Sequence, residues 1–166
     1  MISTDIDNQK YLELAEMILL LGNSKDNIIY EKHKFMTLLF FLKQPLFLEK
    51  LVSMHSPKKM DKINIKAYEK YSLLYEESRV SLISPKSNHL LSYLLSRELI
   101  ITEFTEKGFM FKLKDPKGFE LFNELKKNKQ FKDVNIRTKV INAVLGRKNF
   151  DQIKQVIINN FKELKI

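Results

Sequence analysis

Apolar residues recur at helical spacing through the first 55 residues of the chain. In "QKYLELAEMILLL", residues 9–21, leucine, alanine and methionine follow steps of three and four, and Gly22-Asn23 supplies a stop signal. The same spacing predicts a second helix over residues 31–43. Pro45 fits the first turn of a third helix ending near Met54, because proline is tolerated where the backbone amide has no helical partner.

The pattern changes after "SPKKMD", a polar stretch typical of a turn. Residues 63–77 return to helical spacing, and residues 78–88 predict a short strand followed by a helix start. Ser84 or Ser87 can cap the helix that follows, which we place over residues 86–98.

Two runs rich in β-branched and aromatic residues come next, "LIITEFT" and "FMFKLK". Glu106-Lys107-Gly108 separates them as a turn, so they predict a β-hairpin. Asp115-Pro116 then predicts the start of another helix. Helix, hairpin and helix in this order indicate a winged-helix module.

The predicted fold is therefore mainly α with a small β-hairpin, a winged-helix module flanked by N- and C-terminal helices. Two last helices are predicted over residues 134–145 and 150–164, on either side of Gly146. The chain divides into an N-terminal helical lobe (1–77), the winged-helix module (78–128) and C-terminal helices (129–166) that pack on the same domain.

Residue types that carry chemistry are scarce. The chain has no cysteine, four glycines without a phosphate-binding loop, and three histidines at spacings unlike those of metal ligands. Glu76-Glu77 is the only adjacent carboxylate pair, and neighbouring side chains on a helix point apart. We therefore predict no catalytic residue, no cofactor and no metal site, and a protein that is not an enzyme.

The positive charge is concentrated in the second half of the chain. The net charge is +9, and residues 84–166 hold 17 Lys+Arg against 9 Asp+Glu, a net of +8. Of the 29 basic residues, only Arg79, Arg97, Arg137 and Arg147 are arginine, the side chain that grips phosphate and guanine in two-point contacts. The charge favours weak phosphate-backbone contact with DNA about as much as it favours a coding bias toward lysine.

A winged helix that binds DNA places the first turn of its recognition helix against base edges and its wing lysines against phosphates. Asn88 is the candidate for a base contact. The alternative is that these positions are solvated surface in a lysine-rich chain. The full set of nucleic-acid candidates is Lys86, Ser87, Asn88, Arg97, Lys107, Lys112 and Lys114.

Large apolar residues surround Pro45 on nearly every side of two short helices. Such a helix is either fully buried in its own chain or covered by a partner. Burial in the core is the commoner explanation, and a subunit interface is the competing one. The candidates for partner contact are Phe40, Phe41, Leu46 and Phe47.

The N-terminus carries acidic residues where a signal peptide has a basic region, and the longest apolar segment has only eight residues before Lys43. A membrane-spanning helix needs roughly 20 residues. We therefore expect a cytoplasmic protein without membrane contact.

Three segments together resemble a known family. The "YLELAEMILLL" helix, the "IYEKHKFMTLLFFLKQPLFLEKLV" helix pair and the "NHLLSYLLSRELIITEFTEKGFMFKLKDPKGFELFNEL" module are similar in order to the middle components of bacterial ABC three-component conflict systems, the Lamassu-like, SMC-associated defence operons. The resemblance covers roughly residues 9–145 and depends on pattern, without an invariant motif.

The resemblance implies a non-catalytic adaptor between an SMC-like ATPase and an effector, often a nuclease, in anti-phage or anti-plasmid defence. The wing would then serve mainly to dock protein. The alternative is a winged-helix transcription regulator that binds duplex DNA as a homodimer and predicts a palindromic operator. A stand-alone enzyme is the last alternative.

Overall fold

A computed structural model of the chain describes residues 2–66 and 85–164. Within that part, helices dominate and a small antiparallel sheet completes the fold, as the sequence predicted. The helices and strands, in chain order, are α1 Ile2–Gly22, β1 Ile28–Tyr30, α2 Lys32–Lys43, α3 Pro45–His55, α4 Pro85–Ser96, β2 Ile100–Thr105, β3 Gly108–Leu113, α5 Lys117–Lys127, α6 Lys132–Leu145 and α7 Phe150–Asn160.

Most predicted boundaries are confirmed to within a few residues. Pro45 is the first residue of α3, and Gly22 is the last residue of α1. The "SPKKMD" stretch forms a 3-10 turn over Pro57–Lys62. The last helix ends at Asn160, short of the predicted residue 164. Most of the predicted helix 63–77, together with the predicted strand and helix start up to residue 84, lies outside the described residues.

The sheet has three strands in the order β1-β3-β2. β2 and β3 form the predicted hairpin, in which Ile100 lies opposite Leu113 and Thr105 opposite Gly108. Gly108 has a φ of 96°, a conformation that glycine adopts without a steric penalty. β1 pairs with the other edge of β3, with Ile29 opposite Phe111. The sequence did not predict β1.

One hydrophobic core joins the N- and C-terminal halves. α1 packs against α5, α6, α2, α4 and the sheet. Its residues Met17 to Leu21 are fully buried. Polar contacts fix the same packing, since the Asn142 side chain donates to the Leu20 carbonyl at 3.0 Å and Asn23 donates to Thr138 at 2.8 Å. The core includes residues from each of the three predicted segments, and the division into those segments stays a prediction.

Candidate functional site

In the first turn of α4, the predicted nucleic-acid residues Ser87 and Asn88 differ in exposure, and base contact there stays a prediction. Ser87 is buried, with 5% of its surface exposed, so its hydroxyl does not face a ligand. Asn88 is half-buried, and its Oδ1 atom is covered without a hydrogen-bond partner among the described residues. The backbone of Lys86 lies in α4, while its side chain lies outside the described part of the chain.

The base of the hairpin carries an ion-pair cluster. Lys114 Nζ lies 2.8 Å from Glu98 Oε1, and Lys117 Nζ lies 3.4 Å from Glu98 Oε2. The hydrogen bond from Lys114, supported by its charge and by Lys117, lowers the pKa of Glu98 below its usual value. Glu98 therefore offsets the charge of Lys114, which weakens Lys114 as a phosphate contact.

The remaining predicted basic residues point to different surroundings. The guanidinium of Arg97 lies 5.2 Å from the centre of the Tyr93 ring, at the end of α4. Lys107, at the turn of the hairpin, lies 5.4 Å from the centre of the Tyr30 ring on β1. Lys112 is half-buried on β3, where it lies opposite Ile28 and Ile101. The candidates whose side chains the structure describes therefore lie in different surroundings, and nucleic-acid contact by the set stays a prediction.

The helix pair around Pro45 is mostly covered by the chain itself. Phe40 is 6% exposed and Phe41 is fully buried. The Phe41 and Phe161 rings meet edge to face, with centroids 5.4 Å apart. Phe40 and Phe41 are thus covered within their own chain, as the commoner explanation has it, and a partner is not needed to cover them.

Two further members of that set are only partly covered. Leu46 and Phe47 are half-buried at the start of α3. The Phe47 ring packs on Phe40 and Phe161, with centroid distances of 5.5 and 5.9 Å. Contact between a partner and Leu46 or Phe47 stays a prediction.

The hairpin exposes an aromatic pair that the sequence prediction missed. Phe104 is 78% exposed and Phe109 is 52% exposed. The two residues lie opposite each other in the β2–β3 register, and their rings meet edge to face at 5.3 Å. They lie on the same sheet face as Ile100 and Phe111, which are in the core. The alternation of Ile100, Thr102 and Phe104 indicates their shared face, but the exposure of Phe104 has no signal in the sequence.

A basic groove of about 820 Å³ lies at the β1 edge of the sheet. Five of its eleven lining residues are basic and two are acidic, which gives a formal net charge of +3. Segments far apart in sequence meet there: the loop into β1, the start of α2, the hairpin turn and the α6–α7 turn. The lining residues are Lys25, Asp26, Ile28, Tyr30, Glu31, Lys34, Lys107, Gly146, Arg147, Lys148 and Asn149.

Lys34 connects two of these segments. Its Nζ donates a hydrogen bond to the Gly146 carbonyl at 2.8 Å, which joins α2 to the α6–α7 turn. Burial lowers the pKa of Lys34, and the nearby charge of Glu31 partly opposes that shift. Lys34 therefore has a structural role in the groove, and its charge is partly offset.

Residues 2–66 and 85–164 contain neither a metal-binding cluster nor a helix suited to span a membrane. No group of three His, Cys, Asp or Glu side chains there is arranged to hold a metal ion. None of the helices there is both long and apolar enough to cross a membrane.

Comparison with known proteins identifies a family. Residues 20–155 match the family described as ABC-three component (ABC-3C) system Middle Component 4. The chain belongs to this family. Membership in this family implies partner proteins within one multi-component system. It confirms the resemblance to ABC three-component middle components. No curated protein and no solved structure gives a significant match to the chain.

The family match covers the surfaces described above. Every residue that lines the groove lies within residues 20–155 of this ABC-3C middle component, and so does the Phe104–Phe109 pair. Phe161, which covers Phe41, lies beyond the matched residues.

Proposed function

We propose that this ABC-3C middle component is a non-catalytic adaptor subunit in a bacterial anti-phage or anti-plasmid defence complex. It links an SMC-like ATPase to an effector, a nuclease. The observation that carries the proposal is the family match over residues 20–155. The sequence lacks a phosphate-binding loop, which agrees with nucleotide chemistry in a different subunit.

The Phe104–Phe109 pair is the proposed docking contact with a partner subunit. Exposed aromatic side chains are enriched among the residues that dominate protein interfaces. Burial of each ring against a partner contributes roughly 1.5–3 kcal/mol, so the pair can dominate a small interface. A hairpin held at its base by the core presents both rings with little loss of backbone freedom on binding.

The test is co-purification with the proteins encoded beside this chain. Phe104→Thr combined with Phe109→Thr removes both rings and retains residues suited to a strand. We expect the wild-type chain to capture an SMC-like ATPase and the double variant to lose at least tenfold in affinity, the equivalent of about 1.4 kcal/mol. Glu103→Thr combined with Lys112→Thr changes the opposite face of the same strands and is the matched control.

Two outcomes contradict different parts of the proposal. A wild-type chain that captures no co-encoded ATPase would end the adaptor hypothesis. Capture that is equal for the wild type and the Phe104/Phe109 variant would move the docking contact elsewhere, and Leu46 and Phe47 would be tested next. Because Phe47 also packs on Phe161, its variants need a parallel measurement of folding.

A winged-helix transcription regulator is the second candidate function. The succession of α4, β2 and β3, with β1 on the far edge of β3, favours it. This alternative predicts a homodimer that protects a palindromic DNA site. Footprinting on the DNA upstream of its own gene distinguishes the two functions, since the adaptor gives no site-specific protection.

A further inference from the structure

We propose that the basic groove at the β1 edge of the sheet binds the phosphate backbone of nucleic acid, and that the surface of α4 does not. This inference goes beyond the adaptor role, which needs no nucleic-acid contact by this chain. It also moves the expected contact away from most of the residues that sequence reasoning selected. Among those seven, only Lys107 lines the groove.

The groove and α4 lie at different edges of the sheet. β1 forms one edge and β2 the other, with β3 between them. α4 packs against β2, whereas Ile28 and Tyr30 of β1 line the groove. A ligand in the groove therefore contacts the hairpin turn and β1, on the side of the sheet away from α4.

The charges in the groove are available to a ligand. No ion pair among the described residues involves Lys25, Arg147 or Lys148. Lys25 and Arg147 are exposed and Lys148 is half-buried. Lys107 is exposed at the hairpin turn, where its ammonium group faces the Tyr30 ring and has no ion pair among the described residues. Four cations from three separate segments thus surround one concave surface.

The backbone holds the first of these segments in a defined shape. Asp26 and Asn27 have φ values of 57° and 56°, and Glu31 has a φ of 68°. The Asn27 side chain donates to the Gly22 carbonyl, and the Glu31 amide donates to the Phe109 carbonyl at 2.7 Å. These contacts tie the loop that carries Lys25 to α1 and to the hairpin. The hydrogen bond from Lys34 to the Gly146 carbonyl holds the α6–α7 turn beside that loop.

Side-chain charge, and not a helix end, supplies the attraction. Asn149 closes the start of α7 with a capping box, in which its side chain accepts from the Gln152 amide at 2.9 Å. The amides of Asn149 and Gln152 at this helix end are therefore already engaged. Arg147 and Lys148 precede the cap and are available to a phosphate.

The lining favours a polyanion of phosphates over an acidic protein surface. Protein interfaces have a well-packed core of apolar and aromatic side chains, and the groove offers only Ile28 and Tyr30 for that purpose. Lysine acts on phosphate as a point charge and needs no such core. A nucleic-acid backbone presents regularly spaced charges and releases counterions when cations replace them.

The experiment measures affinity for a labelled, random-sequence DNA duplex as a function of salt, with the full chain. The groove variant combines Lys25→Glu, Arg147→Glu and Lys148→Glu. The control combines Lys127→Glu, Lys129→Glu and Lys132→Glu, three exposed lysines that do not line the groove. Both variants change the net charge by the same amount, so an effect of overall charge alone is equal in the two.

We expect the groove variant to bind DNA on the order of tenfold or more weakly at low salt, while the control stays much closer to the wild type. Each lost phosphate contact reduces the slope of log affinity against log salt by about 0.9 for duplex DNA. A second arm with an RNA duplex of the same sequence shows which nucleic acid is preferred. Preference for either agrees with backbone binding.

Polyglutamate, an acidic polymer without phosphate, is assayed beside the duplexes. Three results would overturn the inference: a wild-type chain that does not bind either duplex at low salt, groove and control variants that weaken DNA binding equally, or a groove variant that keeps its DNA affinity and loses only the capture of polyglutamate. The milder variant Lys25→Gln, Arg147→Gln and Lys148→Gln, checked by thermal melting, keeps the test decisive if charge reversal unfolds the chain. Capture of the partner ATPase is measured on the same proteins, so that failure of the adaptor role and failure of nucleic-acid binding are distinguished.

Discussion

Glu16 on α1 is a carboxyl group enclosed by the core. It is 8% exposed, and its Oε2 atom has no hydrogen-bond partner among the described residues. Burial raises the pKa of Glu16 to about 7, while the charge of Lys43 opposes that shift. Lys43 also pairs with Glu13, at 3.0 Å, so its charge is shared between two carboxyl groups.

The raised pKa predicts that the fold loses stability as pH increases. Between pH 4.5 and about 7 the folded state holds a proton on Glu16 that the unfolded state has released, so the free energy of unfolding falls across that window. Glu16→Gln removes this dependence. At pH 8 we expect the variant to be more stable than the wild type by up to about 3 kcal/mol, measured by urea unfolding.

Below pH 4.5 the two proteins should unfold at similar urea concentrations, because Glu16 is then protonated in both the folded and the unfolded state. Glu124→Gln, an exposed position on α5, is the control and should follow the wild type at every pH. A Glu16→Gln variant that is less stable than the wild type at pH 8 would show that the ionised carboxylate has a stabilising partner.

Residue identity alone predicted the charges but not their partners. Lys114 and Glu98 are 16 positions apart, and they meet because the hairpin returns the chain to the end of α4. Likewise, no local pattern singles out Lys34, whose hydrogen bond to the carbonyl of Gly146, 112 positions away, gives it a structural role. Such pairs depend on tertiary packing, which a local pattern does not contain.

At the scale of elements, the hydrophobic pattern predicted the helices and strands that are long enough to show a period. α2, α3 and the hairpin extend over enough residues for spacing to be decisive. β1 has only three residues, too few to show a period. It is a strand because it pairs with β3, with Ile29 opposite Phe111 more than 80 residues later, and that pairing is invisible in "IIY".

Gly118 shows how two elements limit a residue at their junction. It is buried in the first turn of α5, and a Cβ atom there would overlap the carbonyl oxygen of Leu99, next to the start of β2. We expect Gly118→Ala to destabilise the fold by about 1–3 kcal/mol, although alanine is the better helix former. A chain of this size should then melt lower by roughly 2–4 °C per kcal/mol.

Asn123→Ala is the comparison variant, at an exposed position of the same helix, and should melt at or slightly above the wild-type temperature. If Gly118→Ala were equally stable or more stable than the wild type, α5 would be free to move away from Leu99, and the close approach of helix and strand would not constrain the fold.

At the scale of the whole molecule, we predict no intrinsic ATPase, nuclease or hydrolase activity. The sequence has none of the motifs that place catalytic groups at fixed spacing for these reactions. Purified chain, free of partners, is assayed with ATP, DNA and a generic ester. Turnover that follows the chain through purification and disappears on substitution of one Asp, Glu or His would refute the prediction.

The candidate surfaces show what a single sequence does and does not reveal. The Phe104–Phe109 pair lies in one predicted hairpin, but alternation from the buried Ile100 places Phe104 on the core face and so does not predict its exposure. The groove draws residues from the loop before β1, α2, the hairpin turn and the α6–α7 turn. No spacing rule connects those segments, because their proximity results from the packing of α2 beside α6 and of β1 beside β3.

The central position of α1 has a consequence for how the protein is made. Its residues from Met17 to Leu21 are covered by helices that include α5 and α6, which are synthesised much later. At about 10 residues per second, a ribosome needs on the order of ten seconds to produce the intervening chain. Until α5 and α6 are made, the side of this leucine-rich helix that they cover is exposed to chaperones and to other nascent chains. A gene truncated before residue 117 would leave the side of α1 that packs on α5 and α6 permanently uncovered, and we expect its product to aggregate.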